Sequence, residues 1–217
     1  MAAETRGLIG RRQFLLAGAA TTLVAAAPPL DRLAFRVIRS GDVIGSHVLT
    51  FKPTDAGFEV QIAVDIEVDF GPLTLFHYTL RGVEQWRDGQ VVHVAATTDN
   101  DGRTCYMRAD RTADGLLVAG SGTTPYLAPE KALPATHWNV AELNGPWINP
   151  QDGKLLRPTV ARDSVQPVVL ADGRSVEAEH YVLSGDAKLE IWYDTHRRWT
   201  ALRFKAKDGS DVRYELA

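Results

Sequence analysis

The sequence lacks several features that would place a protein in a class at once. Its 217 residues include a single cysteine, Cys105, so the chain cannot form an internal disulfide. Its formal net charge is −3, and no basic run with interleaved aromatic residues occurs, which argues against nucleic-acid binding. After residue 27 no apolar run is long enough to span a membrane as a helix. We therefore expect neither a disulfide scaffold, nor a nucleic-acid binder, nor a transmembrane segment in the mature chain.

Recognisable catalytic motifs are also missing. Gly120-Ser121-Gly122 does not match the nucleophile elbow G-x-S-x-G of serine hydrolases, and the stretch GSGTTP that contains it, residues 120–125, is typical of a flexible loop. No glycine-rich phosphate-binding loop is present. The six histidines have neither an i,i+4 nor a tight H-x-H spacing, so no metal site is predicted. Cys105 has no base beside it in the sequence, and its alternation with polar neighbours indicates a buried apolar position.

The first 27 residues predict a signal peptide. Arg11 and Arg12 precede an apolar stretch from Phe14 to Ala27, which is too short to cross a bilayer comfortably. The arginine pair followed by Gln-Phe-Leu resembles the twin-arginine export signal, and small residues near Ala27 offer a cleavage site. A cytoplasmic N-terminal helix is the alternative. We expect a periplasmic or otherwise exported protein whose mature part carries a net charge of about −5, because the signal is basic.

Alternating segments separated by turn signals dominate the rest of the chain. Asp-Gly occurs six times and suits hairpin turns, because both residues tolerate positive φ. In GFEVQIAVDIEVDF, residues 57–70, apolar side chains hold every even position from Phe58 to Phe70, as in a strand with one buried face. No stretch has three clean helical turns. We predict strands at Ala34–Ser40, Val43–Phe51, Phe58–Phe70, Leu73–Arg87, Gln90–Thr98, Thr104–Asp110, Leu116–Ala119, Leu155–Ala161, Val165–Leu170, Ser175–Leu183, Leu189–Thr195, Arg198–Lys205 and Asp211–Leu216.

Strand length and short connections define the expected fold class. Two predicted strands, Phe58–Phe70 and Leu73–Arg87, exceed ten residues, which suits a curved sheet better than a compact sandwich. We predict an all-β protein in which a single antiparallel curved sheet closes into a β-barrel or half-barrel. No internal repeat or linker divides the chain, so residues 28–217 form one domain after the signal peptide of residues 1–27.

One segment, PATHWNVAELNGPWINPQDG from Pro134 to Gly153, lacks the alternation of apolar and polar residues that is typical of a strand. It contains three prolines, which cannot donate to a sheet ladder, and two tryptophans. A loop of this length in a compact domain is usually functional or covers something. We predict that it crosses one end of the barrel, with one helical turn over residues 136–139 capped by Thr136.

Short motifs along nearly the whole mature chain resemble a known family. They are FRVIRSGDVIGSH (35–47), FHYTLRGVEQWRDG (76–89), TTDNDG (97–102), THWN (136–139), LSGDAKLEIWYD (183–194) and KDGSDVRYEL (207–216). This family consists of exported bacterial β proteins and is described only as a domain of unknown function. The resemblance implies an antiparallel β-barrel or half-barrel outside the cytoplasm. It implies no reaction and no catalytic residues.

The irregular segment and one strand supply the candidate ligand-binding residues. A mostly apolar pocket uses a few oriented polar groups, and aromatic side chains without a strand partner can line a barrel mouth. Simple plugging of the barrel end by the tryptophans is the alternative. The candidates are His77, Tyr78, His137, Trp138, Asn139 and Trp147.

The expected function is that of an exported soluble protein that binds or carries an apolar or amphiphilic small molecule in a barrel lumen. Two alternatives from other classes stay open. One is a periplasmic enzyme, metal-assisted through histidines that the fold brings together. The other is an envelope assembly accessory with no small-molecule ligand. The sequence indicates no cofactor and does not determine the oligomeric state.

Overall fold

The computed structural model of the protein describes residues 31–70 and 73–217. The predicted signal peptide, residues 1–27, lies outside the described residues. Within them, no helix is long and apolar enough to cross a membrane.

The described residues form strands and one short 3₁₀ helix, Val140–Asn144. The strands are β1 (Arg32–Arg39), β2 (Asp42–Thr54), β3 (Gly57–Phe70), β4 (Leu73–Arg87), β5 (Gln90–Asn100), β6 (Arg103–Thr112), β7 (Gly115–Gly120), β8 (Thr123–Leu127), β9 (Leu133–Pro134), β10 (Trp147–Ile148), β11 (Leu155–Leu156), β12 (Pro158–Val169), β13 (Ser175–Gly185), β14 (Leu189–Asp194), β15 (Trp199–Lys205) and β16 (Asp211–Leu216).

Thirteen of these strands form one antiparallel sheet in the order β12-β13-β14-β15-β16-β1-β2-β3-β4-β5-β6-β7-β8. The N-terminal strand β1 pairs with the C-terminal strand β16, with Phe35 opposite Leu216. In the described chain the two outer strands, β12 and β8, are not paired with each other, so the sheet is not closed by hydrogen bonds. The predicted fold class, an all-β protein with one curved antiparallel sheet, is confirmed.

Hydrogen bonds across the sheet show how strongly it curves. Strands β4 and β14 are six strand spacings apart in the sheet, roughly 29 Å along its surface at ~4.8 Å per spacing. Yet Glu84 of β4 and Tyr193 of β14 contact two adjacent residues. Thr136 Oγ1 donates to Glu84 Oε1 at 2.6 Å, and the Tyr193 hydroxyl donates to the backbone oxygen of His137 at 2.9 Å. The buried faces of the two halves therefore face each other.

The alternating pattern of β3 becomes one buried face, as predicted. Phe58, Val60, Ile62 and Val64 are all buried, whereas Ile66 is half-buried. This gradient arises because the first part of the strand borders the packed core and the later part borders an open space. On β6 the same alternation buries the apolar positions, including Cys105.

Turn chemistry explains the short connections. At Asp88-Gly89 and Asp101-Gly102 both residues have positive φ, as a two-residue hairpin turn requires. Five of the six Asp-Gly pairs lie at turns between adjacent strands of the large sheet, and the sixth, Asp152-Gly153, does not.

The segment between β8 and β12, residues 128–157, lies against the buried face of the sheet, and we name it the inner segment. It contains the small sheet β11-β10-β9 and the 3₁₀ helix. Trp147 and Ile148 are 1% and 0% exposed and belong to the same core as the sheet residues. Sequence periodicity missed β9 to β11 because each has only two residues, and their positions depend on contacts with the sheet.

The inner segment is anchored to β7 and β8 at its C-terminal part. The backbone N–H of Gly122 donates to Asp152 O at 2.9 Å, and the Tyr126 hydroxyl donates to Gly153 O at 2.9 Å. A Cβ on Gly120 would lie 2.2 Å from Asp152 O, so only glycine permits this backbone approach.

Three local predictions differ from the structure. The two strands predicted over residues 155–170 are largely one strand, β12, whose register shifts between Arg162 and Val165. Residues 120–125, predicted as a loop, include the start of β8. The helical turn begins at Val140 with Asn139 as its N-cap, and Asn139 Oδ1 accepts from Ala141 N at 3.1 Å. Thr136 cannot be that cap because its hydroxyl is buried and bonded to Glu84.

Candidate functional site

A cavity of about 910 Å³ lies between the two facing halves of the sheet and the inner segment. Most of its wall is formed by aliphatic and aromatic side chains. The polar and titratable groups among its lining residues are Arg39, His47, Tyr78, Asn100, Asp101, Thr136, His137, Lys207, Asp208 and Tyr214.

The cavity has an inner end and an exposed end. At the inner end Ile62, Leu80 and Leu202 are at most 5% exposed. At the other end Leu75 is 56% exposed. We call this exposed end the mouth of the cavity. Apolar side chains thus continue from the core out to solvent along the cavity wall.

Charged side chains are concentrated at the mouth. The guanidinium group of Arg39 forms an ion pair with Asp208 and donates from Nε to Ser210 Oγ at 2.8 Å. Lys207 and Asp101 lie at the same exposed end. Arg39 and Lys207 are the cations among the described residues that line the cavity.

His137 and Glu142 form a hydrogen-bonded pair at the cavity wall. His137 Nδ1 lies 2.7 Å from Glu142 Oε1, and the backbone N–H of His137 donates to Glu142 Oε2 at 3.0 Å. The Glu142 side chain is 1% exposed, so the carboxylate is held inside the protein. His137 adopts φ of +68°, a left-handed conformation that non-glycine residues seldom adopt. The pair therefore fixes the orientation of an imidazole that lines the cavity.

His47 is a second histidine in the cavity wall. It is 7% exposed, and its Nε2 has no hydrogen-bond partner among the described residues. Burial, together with the nearby His137, lowers its pKa to about 3, so the imidazole is neutral at ordinary pH. The rings of His47 and His137 each lie 5.3 Å from the ring of Trp199. Two imidazoles, one hydrogen-bonded to Glu142 and one with an unpartnered Nε2, are thus placed against one tryptophan.

Two tyrosines complete the polar part of the wall. Burial raises the pKa of Tyr78 to about 12. Burial also raises the pKa of Tyr214, whose ring lies 5.9 Å from that of His47. Both hydroxyls therefore stay protonated and can donate a hydrogen bond as well as accept one.

A second buried carboxylate, Glu84, lies outside the cavity wall. It is 0% exposed and accepts three hydrogen bonds from neutral donors. Thr136 Oγ1 donates to Oε1 at 2.6 Å, and the indole nitrogens of Trp86 and Trp138 donate to Oε2 at 2.8 and 3.0 Å. Burial raises the pKa of Glu84 against the opposing effect of these hydrogen bonds. Glu84 thus links strand β4 to the inner segment.

Two of the six candidate ligand-binding residues line the cavity: Tyr78 and His137. Trp138 packs edge-on against Phe51, Phe58 and Trp86, with ring centres 5.1 to 5.7 Å apart.

The other three candidates have separate positions. Trp147 is fully buried and donates from Nε1 to Glu142 O at 2.8 Å, which places it behind the His137–Glu142 pair. Asn139 caps the 3₁₀ helix. His77 accepts at its backbone oxygen from Asp101 N at 2.8 Å, and its side chain is half-buried.

Three polar residues that the structure makes prominent are not among the candidate ligand-binding residues. Alternation with Leu49 and Phe51 predicts a core or barrel-lining position for His47, and no motif singles out Glu84 or Glu142. A signal for Glu84 exists, because it occupies the same alternating face of β4 as Tyr78, Leu80 and Trp86. A single acid on an apolar face marks a group that needs buried partners. Glu142 gives no such signal because the inner segment has no periodicity.

The His137–Glu142 pair has the chemistry of an oriented base, since a carboxylate that accepts from Nδ1 leaves Nε2 as the reactive nitrogen. Among the described residues no serine, threonine or cysteine side chain is hydrogen-bonded to His137. The described residues also contain no group of three His, Cys, Asp or Glu side chains placed to hold a metal ion.

Comparison with known proteins identifies the family. Residues 35–217 match the family described as "Domain of unknown function (DUF6134)". The chain belongs to this family. The resemblance drawn from the sequence motifs, to an uncharacterised family of β proteins, is thereby confirmed. No curated protein matches this DUF6134 chain.

A solved structure has the same fold. The chain is similar to a β-barrel-like protein of a domain of unknown function, DUF1849, from Brucella abortus. The TM-score is 0.58 at 12% sequence identity, and the match covers 86% of this chain and 94% of the other. At this identity the similarity establishes the β-barrel-like fold and nothing about activity.

Proposed function

We propose that the protein is an exported carrier or binding protein that holds an apolar or amphiphilic small molecule in the cavity between the sheet halves. The observation that carries the proposal is the cavity itself, about 910 Å³ in volume, with a mostly apolar wall and charged groups concentrated at its mouth. Binding sites for small molecules have this size and this composition. Binding of a small molecule accounts for the cavity without a catalytic or structural role.

The free energy of binding would come from apolar surface along the wall. Half-buried Ile66 and exposed Leu75 leave aliphatic surface in contact with water in the free protein. Covering such surface is favourable by about 25 cal/mol per Å². An elongated apolar ligand that enters at the mouth would cover both side chains and reach the buried inner end.

Export is part of the same proposal. The motivation is Arg11-Arg12 followed by the apolar stretch that ends at Ala27. A carrier outside the cytoplasm would meet amphiphiles of the cell envelope, which suits an apolar cavity with an exposed mouth.

A variant that fills the cavity tests the proposal. Ile66 is half-buried in the cavity wall, so Ile66→Trp places a large ring in the cavity without removing a hydrogen bond. The matched control is Val169→Trp on β12, where the side chain is 62% exposed and does not line the cavity. The probe is N-phenyl-1-naphthylamine, an uncharged apolar dye that fluoresces when bound.

We expect the wild type and Val169→Trp to bind the dye equally and Ile66→Trp to bind it at least tenfold more weakly. Circular dichroism confirms that each variant is folded. Equal dye binding by Ile66→Trp, or no binding by the wild type, would refute a ligand site in this cavity.

Native mass spectrometry of the protein from its own host separates the classes of function. A retained lipid-like mass supports the carrier. A retained metal ion would favour the metal-assisted enzyme instead, and a co-purifying protein at fixed stoichiometry would favour the assembly accessory.

A further inference from the structure

The hydrogen bonds of Glu142 determine which ring nitrogen of His137 carries a proton. The backbone N–H of His137 can only donate, so Glu142 Oε2 must accept from it. Glu142 Oε1 lies within reach of both His137 Nδ1 at 2.7 Å and the Tyr193 hydroxyl at 3.5 Å. An ionised carboxylate is an acceptor at both oxygens. With both oxygens of the carboxylate accepting, Nδ1 carries a proton, and in the neutral form of the ring Nε2 carries the lone pair.

The lone pair on Nε2 has no partner in the described protein. The His137 side chain is 15% exposed, and the residue is part of the cavity wall. His47 in the same wall also has an unpaired ring nitrogen, although it is nine-tenths buried. Buried polar groups in native proteins usually have a partner. The unpaired Nε2 of buried His47, in the same wall as a His137 ring that opens into the cavity, indicates that a bound molecule supplies a polar group.

The charges around the inner end indicate that this polar group is uncharged. Glu142 lies directly behind His137, and an anionic ligand group would be repelled by its carboxylate. The lining cations, Arg39 and Lys207, lie at the mouth, and Arg39 is already paired with Asp208. A fatty-acid carboxylate at the inner end would thus be desolvated without a cationic partner, which is costly.

Hydrogen bonds hold the backbone of His137, and with it the imidazole, in one position. A non-glycine residue with φ of +68° costs free energy and persists where surrounding contacts impose it. Here the contacts are the two hydrogen bonds to Glu142 and the one from Tyr193 to His137 O.

We infer that the ligand is an amphiphile with an uncharged hydroxyl group, and that this hydroxyl donates a hydrogen bond to Nε2 of His137 at the inner end of the cavity. The inference rests on the proposed function and adds the chemical class of the ligand. The apolar part of the molecule lies along the wall toward Ile66 and Leu75, so the ligand enters with its polar end first. Tyr78 and Tyr214 line the same cavity and can donate to the hydroxyl oxygen.

Two isomeric ligands test the inference: dodecan-1-ol, which can donate, and 1-methoxyundecane, which can only accept. Displacement of N-phenyl-1-naphthylamine is measured at about pH 9, where a free imidazole is neutral. We expect the alcohol to bind about fivefold to tenfold more tightly than the ether, as one hydrogen bond of ordinary strength provides. Dodecanoate is expected to bind more weakly than the alcohol.

Glu142→Gln moves the proton of the His137 ring from Nδ1 to Nε2 and keeps the hydrogen bonds between residues 137 and 142. The backbone N–H of His137 keeps the amide oxygen at the Oε2 position, so the amide NH₂ faces Nδ1. Nδ1 then accepts, and Nε2 carries the proton. Since the alcohol and the ether both accept, we expect their affinities to converge to within about twofold. The matched control is Glu84→Gln, the same change at a buried carboxylate outside the cavity wall, which should keep the wild-type ratio.

Each result decides a separate point. Equal affinities of alcohol and ether for the wild type, with binding still lost in Ile66→Trp, would overturn the hydroxyl inference and leave the proposed function. An unchanged ratio in Glu142→Gln would overturn the assignment to His137. If Glu142→Gln does not fold, His137→Asn replaces it, because asparagine tolerates positive φ, and it too must lose the preference. Failure of the wild type to bind any of the probes would refute the proposed function itself.

Discussion

Thr136 Oγ1 donates a 2.6 Å hydrogen bond to Oε1 of Glu84, and both residues are at most 4% exposed. This bond joins the inner segment to strand β4 across 52 positions of sequence. Because Thr136 also lines the cavity, the contact sets the position of the cavity wall relative to the sheet. The buried carboxylate of Glu84 is therefore a structural anchor whose acceptor oxygens matter more than its charge.

The first prediction separates the contribution of the acceptor oxygens of Glu84 from that of its charge. Glu84→Gln keeps an acceptor for the two indole N–H groups and leaves the threonine hydroxyl a partner, while it removes the cost of burying charge. We expect an unfolding free energy at pH 7 equal to or above that of the wild type. Glu84→Ala leaves buried donors unpaired and should lose about 3 kcal/mol or more. Urea unfolding measures both.

The pH dependence of this pair has a definite sign. Burial raises the pKa of Glu84 in the folded state, so the folded protein holds this proton more firmly than the unfolded chain does. The contribution of Glu84 to stability is then greatest below the unfolded pKa and is lost as pH rises through the folded pKa. The advantage of Glu84→Gln should accordingly grow with pH, and equal destabilisation by Gln and Ala would contradict the argument.

The second prediction concerns Trp138, which contacts Phe51, Phe58 and Trp86 and donates to Glu84. Trp138→Ala should lower the unfolding free energy by about 3 kcal/mol, the lower end of the range for large aromatic side chains, because Trp138 is half-buried. Dye binding per folded molecule should stay within about twofold of the wild type, because Trp138 does not line the cavity. Trp138→Phe, which removes the indole N–H, should lose about 1–3 kcal/mol. Lost binding in a stable Trp138→Ala variant would instead make Trp138 a ligand contact.

The third prediction uses the neutral state of His47. Burial lowers its pKa to about 3 in the folded protein from the ordinary value of 6.5, so the unfolded chain takes up a proton first as pH falls. The wild type should therefore lose stability progressively from about pH 6.5 downward. His47→Gln should flatten this dependence by up to ~1.4 kcal/mol per pH unit. Urea unfolding at about pH 7 and pH 5 checks the difference, and parallel curves for the two proteins would exclude His47 as the cause.

The fourth prediction concerns export. Lysine at both positions 11 and 12 keeps the positive charge but removes the arginine pair of the proposed export signal. We expect the double variant to accumulate as a full-length precursor in the cytoplasm. Fractionation of cells that express the full chain, followed by immunoblotting, measures this. If the variant is processed and exported as efficiently as the wild type, the twin-arginine assignment is wrong.

The strand order along the chain was determined by local information. The alternation from Phe58 onward and the Asp-Gly turns act over a few residues, and turn geometry then fixes the register of neighbouring strands. For this reason the sequence by itself determined the all-β class and the antiparallel pairing of consecutive strands.

Tertiary structure alone decided which segment packs inside the curved sheet and which residues form the site. The pairing of Glu84 with Thr136, and of Tyr193 with His137, joins residues more than 50 positions apart, which no local period encodes. The inner segment has short strands and prolines, so its path depends on the surface against which it packs. The sequence predicted that this segment contributes to a site and named His137 and Tyr78. Only the packing of the inner segment against the buried face placed His137 in one cavity wall with His47 of β2 and Tyr78 of β4.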